Sequence, residues 1–159
     1  MLITTAMEKM IDFYKGNTHD INHFLKVWAF AKTIGEAEGL DKETQEILEL
    51  AAVVHDISCP LCREKYGNAD GRHQEEESAP LVVAFFSGLP AGTLNVARIS
   101  WLVEHHHTYI NVDGMDYQIL LEADFLVNAD EGGYSKEVIE NACRNVFRTD
   151  TGIRLLKSI

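Results

Sequence analysis

Two potential metal ligands, His55 and Asp56, stand side by side where the apolar run Ile47-Leu48-Glu49-Leu50-Ala51-Ala52-Val53-Val54 stops. An imidazole and a carboxylate that leave a hydrophobic layer together need compensation, because an unpaired buried charge is strongly unfavourable. A metal ion compensates both at one centre. A helix cap or a core hydrogen bond is the other reading of the same pair. Neighbours on a helix point about 100° apart, so both side chains face one ion only if the backbone turns there. Pro60 predicts that turn.

The elements that must position such a pair can be read from apolar spacing. In Thr18-His19-Asp20-Ile21-Asn22-His23-Phe24-Leu25-Lys26-Val27-Trp28-Ala29-Phe30-Ala31, residues Val27, Phe30, Ala31 and Ile34 recur at helical intervals. His23 extends that stripe one turn upstream, as a satisfied core histidine or as a ligand aimed inward. Tyr117 to Ala129 is a second apolar helix, with Asp124 between Leu120 and Val127 on its interior side. A lone carboxylate rarely occupies such a position without a partner. Three helices therefore each deliver polar groups inward, and that coincidence is more specific than any one of them.

These segments resemble the HD-domain metal-dependent phosphohydrolases, whose pattern is a first His, then His-Asp, then a distant Asp. Asp20-Ile21-Asn22-His23-Phe24-Leu25-Lys26-Val27 is similar to the opening segment, Val54-His55-Asp56-Ile57 to the centre, and Glu122-Ala123-Asp124-Phe125-Leu126-Val127-Asn128 to the close. The resemblance implies His23, His55, Asp56 and Asp124 as metal ligands. It also implies Lys26 and Asn128 as substrate-side groups. Two imidazoles and two carboxylates suit Mn, Fe, Co, Ni or Zn better than a hard oxygen-only ion. A divalent ion so held, with an open position, would lower the pKa of bound water toward about 7 and polarise a phosphoryl oxygen, with Asp56 at the reacting centre.

The chain departs from the family pattern after the His-Asp pair. Many relatives continue with Gly-Lys, whereas this chain reads Ile57-Ser58-Cys59-Pro60, without a lysine for phosphate. Arg63, Lys65 and Arg72 are the nearby cations that could replace it, and each is equally readable as a solvated loop charge. In Trp101-Leu102-Val103-Glu104-His105-His106-His107 the helical face of Ile99, Leu102 and Val103 includes His106, leaves His105 intermediate and makes His107 the more exposed. In two-metal branches of the family, extra histidines hold a second ion. The resemblance thus makes His105 and His106 candidates for metal binding or for proton transfer to substrate, and His73 a further substrate-side candidate. Cys59-Pro60-Leu61-Cys62 has the spacing of half a zinc site, but without a second such pair it reads as small buried thiols near the pocket.

With 159 residues, 46% hydrophobic and 25% charged, the chain is expected to form one domain over 1–159, with a motif-bearing core at about 18–130 and C-terminal helices at 135–158 packed on it. The expected fold class is all-α, a compact bundle of seven or eight helices near 2–15, 19–38, 42–57, 74–87, 92–107, 116–130, 135–147 and 150–157. Asp41 is the expected cap of the third, and 58–72 an irregular pocket rim, with Tyr109 to Gly114 as another part of it. A net charge of −11 argues against a broad nucleic-acid surface, though a small phosphorylated substrate remains compatible. No apolar run reaches membrane-spanning length, and three cysteines without a signal-like start point to the cytoplasm. Homodimerisation is left open. The expected function is water-mediated hydrolysis of a phosphomonoester or phosphodiester of a nucleotide or small metabolite, using one or two divalent transition-metal ions. The alternatives are a di-iron oxygenase on the same scaffold and a non-catalytic metal- or nucleotide-binding sensor.

Overall fold

The computed structural model describes residues 1–90 and 92–159, and the described residues form nine helices and no strand. They are α1 (Leu2–Phe13), α2 (Thr18–Ala37), α3 (Lys42–Val54), α4 (Cys59–Tyr66), α5 (Gly71–Ser87), α6 (Val96–His105), α7 (Met115–Glu131), α8 (Lys136–Asn145) and α9 (Asp150–Leu156). Side chains cap several N-termini. Asn17, Asp41, Asn95, Ser135 and Thr149 each accept a backbone N–H from the first turn that follows. Asp41 does so as its place before Lys42 predicts.

Helix α3 is the axis of the molecule. Every residue from Ile47 to Val54 is buried, which suits a helix with neighbours all round, and α3 packs against α1, α2, α6 and α7. Glu49 tolerates burial in that run because Trp28 Nε1 donates to it at 2.9 Å and Gln45 Nε2 at 3.0 Å. Helices α2 and α7 pack on each other as well as on α3. The three segments with inward polar groups therefore meet in pairs.

One expected element differs. The stretch 58–72, read as irregular, contains α4, with Pro60 in its first turn and Gly67 closing it in the left-handed conformation at φ +75°. Proline is tolerated there because first-turn N–H groups have no intrahelical acceptor. Helix α5 already begins at Gly71, so Arg72 and His73 lie on a helix and not in a loop.

The α8–α9 segment is fastened through Glu122 of α7. Its carboxylate is fully buried and accepts from Arg148 N at 2.7 Å, Thr149 N at 3.0 Å, Thr149 Oγ1 at 2.5 Å and Gln118 Nε2 at 2.8 Å. Gly152 makes that approach possible, since a Cβ there would lie 2.0 Å from Glu122 Oε2. Among the described residues no helix is long and apolar enough to cross a membrane.

Candidate metal centre

The turn after α3 does what a pair of adjacent ligands requires. α3 ends at Val54, and the chain bends through His55–Ser58, with Ile57 N bonding to Val54 O and Cys59 N to Asp56 O. Tyr14 of the segment after α1 donates its hydroxyl to Asp56 O at 2.6 Å and holds the bend from outside. His55 and Asp56 consequently face the same point, which α2 reaches with His23 and α7 with Asp124.

The distances around that point are those of ligands sharing an ion. His23 Nε2 and His55 Nε2 are 3.2 Å apart. Asp56 Oδ2 lies 3.3 Å from His23 Nε2 and 3.4 Å from His55 Nε2, and Asp124 Oδ1 lies 3.4 Å from each of those nitrogens. Four donors about 2.0 to 2.2 Å from a tetrahedral ion would be spaced by about 3.3 to 3.6 Å. The other oxygen of Asp56 lies 3.4 Å from His106 Nε2, so this carboxylate faces two sets of nitrogens.

The ring nitrogens turned away from the centre decide what the inner ones can do. His55 Nδ1 bonds to Ala52 O at 2.8 Å and His106 Nδ1 to Val103 O at 2.7 Å, which fixes each Nδ1 as the N–H donor. His23 Nδ1 bonds to Glu131 Oε2 at 2.8 Å. In the neutral rings all three Nε2 atoms are then bare acceptors. Two acceptors at 3.2 Å cannot satisfy each other without a cation or a shared proton between them. His106 Nε2 and His107 Nε2 are also buried without a hydrogen-bond partner. The residues present thus fit a metal ion in donor type, spacing and unmet bonding capacity.

Electrostatics without an ion shows the same demand. Burial pushes His23 and His55 down, but the carboxylates of Asp56 and Asp124 outweigh it and raise both above the usual imidazole range. Burial likewise pushes Asp56 and Asp124 up, and the facing histidines outweigh it, holding both low. Protons stand in for a cation here. His107 behaves in the opposite way, as burial and neighbouring His106 push it down to about 4.

Three overlapping groups bring ligand atoms close enough for an ion: His23, His55 and Asp124; His55, Asp56 and His106; and His106, His107 and Asp124. Helical spacing ranks His107 as more exposed than His106, and it is half-buried where His106 is fully buried, yet its Nε2 is enclosed and lies among these ligand atoms. α6 ends at His105, so the wheel does not extend to a residue in the following turn. His105 is not brought to the cluster. Its Nδ1 bonds to Trp101 O at 2.7 Å and its ring stacks on Trp101 at 4.1 Å. His73 also lies elsewhere, stacked on Tyr66 at 3.9 Å with Nδ1 3.0 Å from Asn68 Oδ1.

The cations divide similarly. Arg63 makes a two-pronged pair with buried Asp20, at 2.6 and 3.1 Å, and its guanidinium is near Cys59 and Tyr14, both neighbours of Asp56. Lys26 bonds to Glu131 Oε1 at 2.6 Å, one residue removed from His23 in the bonding chain. Lys65 is paired with Glu77, and Arg72 with Glu76 one turn along α5 on an open surface. Asn128 is half-buried, one turn after Asp124. Cys59 and Cys62 are buried and free, and neither joins a metal-capable group among the described residues. The Tyr109–Gly114 loop is clamped by Arg98, which bonds Asp113 and Asp116, and lines a cavity of about 550 Å³ with Gln118 and Arg148; no candidate ligand lines that cavity.

A family model described as HD domain matches residues 20–150. The chain belongs to the HD-domain family. The HD-domain match spans every side chain of the cluster, from His23 to Asp124, and reaches past Glu131 into α9. No curated protein and no solved structure matches the chain.

Proposed function

We propose that the chain is a metal-dependent phosphohydrolase acting on a phosphomonoester or phosphodiester of a nucleotide or another small metabolite. The observation that carries this reading is the convergence of bare histidine Nε2 atoms and two carboxylates within 3.2 to 3.4 Å of one another. His23, His55, Asp56 and Asp124 would hold one ion. His106 and His107, with Asp56 and Asp124 shared, supply donors for a second. When bound, a divalent ion supplies an activated water and polarises the phosphoryl oxygen.

The protein's own part is positioning and proton handling. Asp56 is the most exposed of the four, with 22% of its side chain open against 8% for His23, 4% for Asp124 and none for His55, so substrate approaches past Asp56. Its Oδ1, which faces His106 and not the His23–His55 pair, would accept a proton from the attacking water. If only one ion is held, His106 Nε2, which lies 3.4 Å from Asp56 Oδ1 and outside the four-ligand set, would return one to the leaving oxygen. Arg63 and Lys26 are half-exposed cations paired with Asp20 and Glu131, and of the two Arg63, near Cys59 and Tyr14 beside Asp56, is the better suited to a phosphate. The free Cys59, Cys62 and Cys143 support a reducing, cytoplasmic setting.

The test is phosphate release from p-nitrophenyl phosphate, bis-p-nitrophenyl phosphate and a nucleotide panel, using chain stripped of metal and reloaded with Mn, Fe, Co, Ni or Zn. Turnover that appears only on reloading supports the proposal. The His106–His107 pair also suits the di-iron oxygenase alternative, so oxygen uptake by the iron form without phosphate release would replace it. Tight nucleotide binding without turnover would favour a sensor.

A further inference from the structure

His23, His55 and His106 each spend the outer ring nitrogen, but not on the same kind of partner. His55 and His106 give their Nδ1–H to the backbone carbonyls of Ala52 and Val103 in the last turns of the helices they follow. His23 alone gives its Nδ1–H to a carboxylate, Glu131 Oε2, at 2.8 Å. The second oxygen of that carboxylate is held at 2.6 Å by Lys26 Nζ. Both partners come from elements that already supply ligands: Lys26 stands one turn after His23 on α2, and Glu131 two turns after Asp124 on α7.

We infer that Glu131 is a positioning residue of the metal centre, which locks His23 as the Nε2-facing tautomer and makes it the most electron-rich of the imidazole donors. This rests on the metal-binding reading above. A carboxylate accepting Nδ1–H shifts electron density toward Nε2 more than a peptide carbonyl does, and outer partners of this kind carry 10- to 100-fold in metal affinity. Lys26 completes the device, because with its second oxygen engaged Glu131 cannot swing in and become a ligand itself. The pair also balances its own charge, which leaves Asp56 and Asp124 to neutralise the ion. The sequence offers no local hint of this role. Glu131 stands in Ala129-Asp130-Glu131-Gly132-Gly133, which reads as an ordinary polar helix end.

The competing role is a fastening of α2 to α7 with no effect on the centre. The deciding experiment is Co(II) affinity, by competition with a chromophoric chelator, together with the visible spectrum and the hyperfine-shifted imidazole N–H resonances of the Co(II) form. The proteins are wild type, Asp124→Ala, Glu131→Gln and Glu131→Asp. Glu131→Gln keeps an acceptor for Nδ1–H and removes only the charge. The expected result is about a 10- to 100-fold loss of Co(II) affinity, with one N–H resonance displaced and altered visible bands, beside a lower Tm of the metal-free protein, since burial pushes the Glu131 carboxylate up but Lys26 and His23 outweigh it and hold it below its usual range. Glu131→Asp, whose charge is drawn back by a methylene, should fall between wild type and Gln, and it decides the matter if the Gln variant fails to fold. Wild-type affinity and spectra in both Glu131 variants, with binding abolished in Asp124→Ala, would overturn the inference and leave the metal centre intact. Absence of binding in the wild type, with Co, Mn and Zn alike, would overturn the metal reading and this inference with it.

Discussion

Glu122 and Asp124 lie two residues apart on α7, both buried, yet they are opposite kinds of buried acid. Glu122 is surrounded by donors: two backbone N–H groups, a hydroxyl and an amide point at its oxygens. Asp124 faces imidazole nitrogens whose protons are committed elsewhere. The first carboxylate is complete within the protein. The second is complete only when something positive is added, whether protons or an ion. A buried acid is therefore a poor marker of function by itself, and the state of its partners' hydrogens is the better one.

The sharpest way to break this comparison is to delete each acid in turn. Asp124→Ala should abolish metal binding, from at least one equivalent per chain to none by elemental analysis, with far-UV circular dichroism of the metal-free form retained. Glu122→Ala should do the reverse. It strands several buried donors at a cost of about 3 kcal/mol or more, read as a fall in Tm of roughly 10 °C, while metal content per folded chain stays near the wild-type value. Equal metal loss in both variants would show that the two acids are not separable.

A smaller effect distinguishes the adjacent histidines. His106→Ala should lower turnover by about 10²-fold or more if it transfers a proton, whereas His105→Ala, which removes a ring stacked on Trp101, should leave kcat within a few-fold of wild type and cost stability instead. Similar kcat values for the two would reduce His106 to packing.

The smallest effect concerns acid stability of the metal-free chain. His107 has a folded pKa of about 4 against about 6.5 unfolded, so the unfolded state takes up its proton first and stability from this residue falls as pH drops from about 6.5 to 4. His23 and His55 act with the opposite sign. Their folded pKa values are raised, so their contribution is present in full below about 6.5 and is lost as pH rises through the raised values. His107→Asn should therefore show a shallower loss of Tm between pH 6.5 and 4 than wild type. A parallel pH curve would mean that His107 is solvated when folded.

What could be read from the sequence was whatever local periodicity encodes. His23 and Asp124 interrupt apolar stripes, and Pro60 marks the bend that lets His55 and Asp56 face one point, so the helices and the inward polar positions follow from spacing. Periodicity failed where helices end. It ranked His107 as more exposed than His106, as it is, but did not show that His107 Nε2 reaches the cluster, and it missed α4 because Cys59-Pro60-Leu61-Cys62 has no helical signature of its own. It also passed over Glu131, whose partner His23 is 108 residues away. Only the interval of seven residues from Asp124 points to Glu131, and an interval has meaning only once one end is known to matter.

That interval makes α7 a ruler. Its fold-fastening acid at 122, its inward carboxylate at 124 and its outer carboxylate at 131 keep their relative bearings only while the helix has its present number of residues. One residue inserted between Val127 and Asn128 would rotate everything beyond it by about 100° and advance it by about 1.5 Å. Glu122 and Asp124 would stay in place while Glu131 left His23. Substitution at a surface position of α7 other than Glu131 is thus a mild change, whereas a single-codon insertion on the same surface would be read at the heart of the molecule.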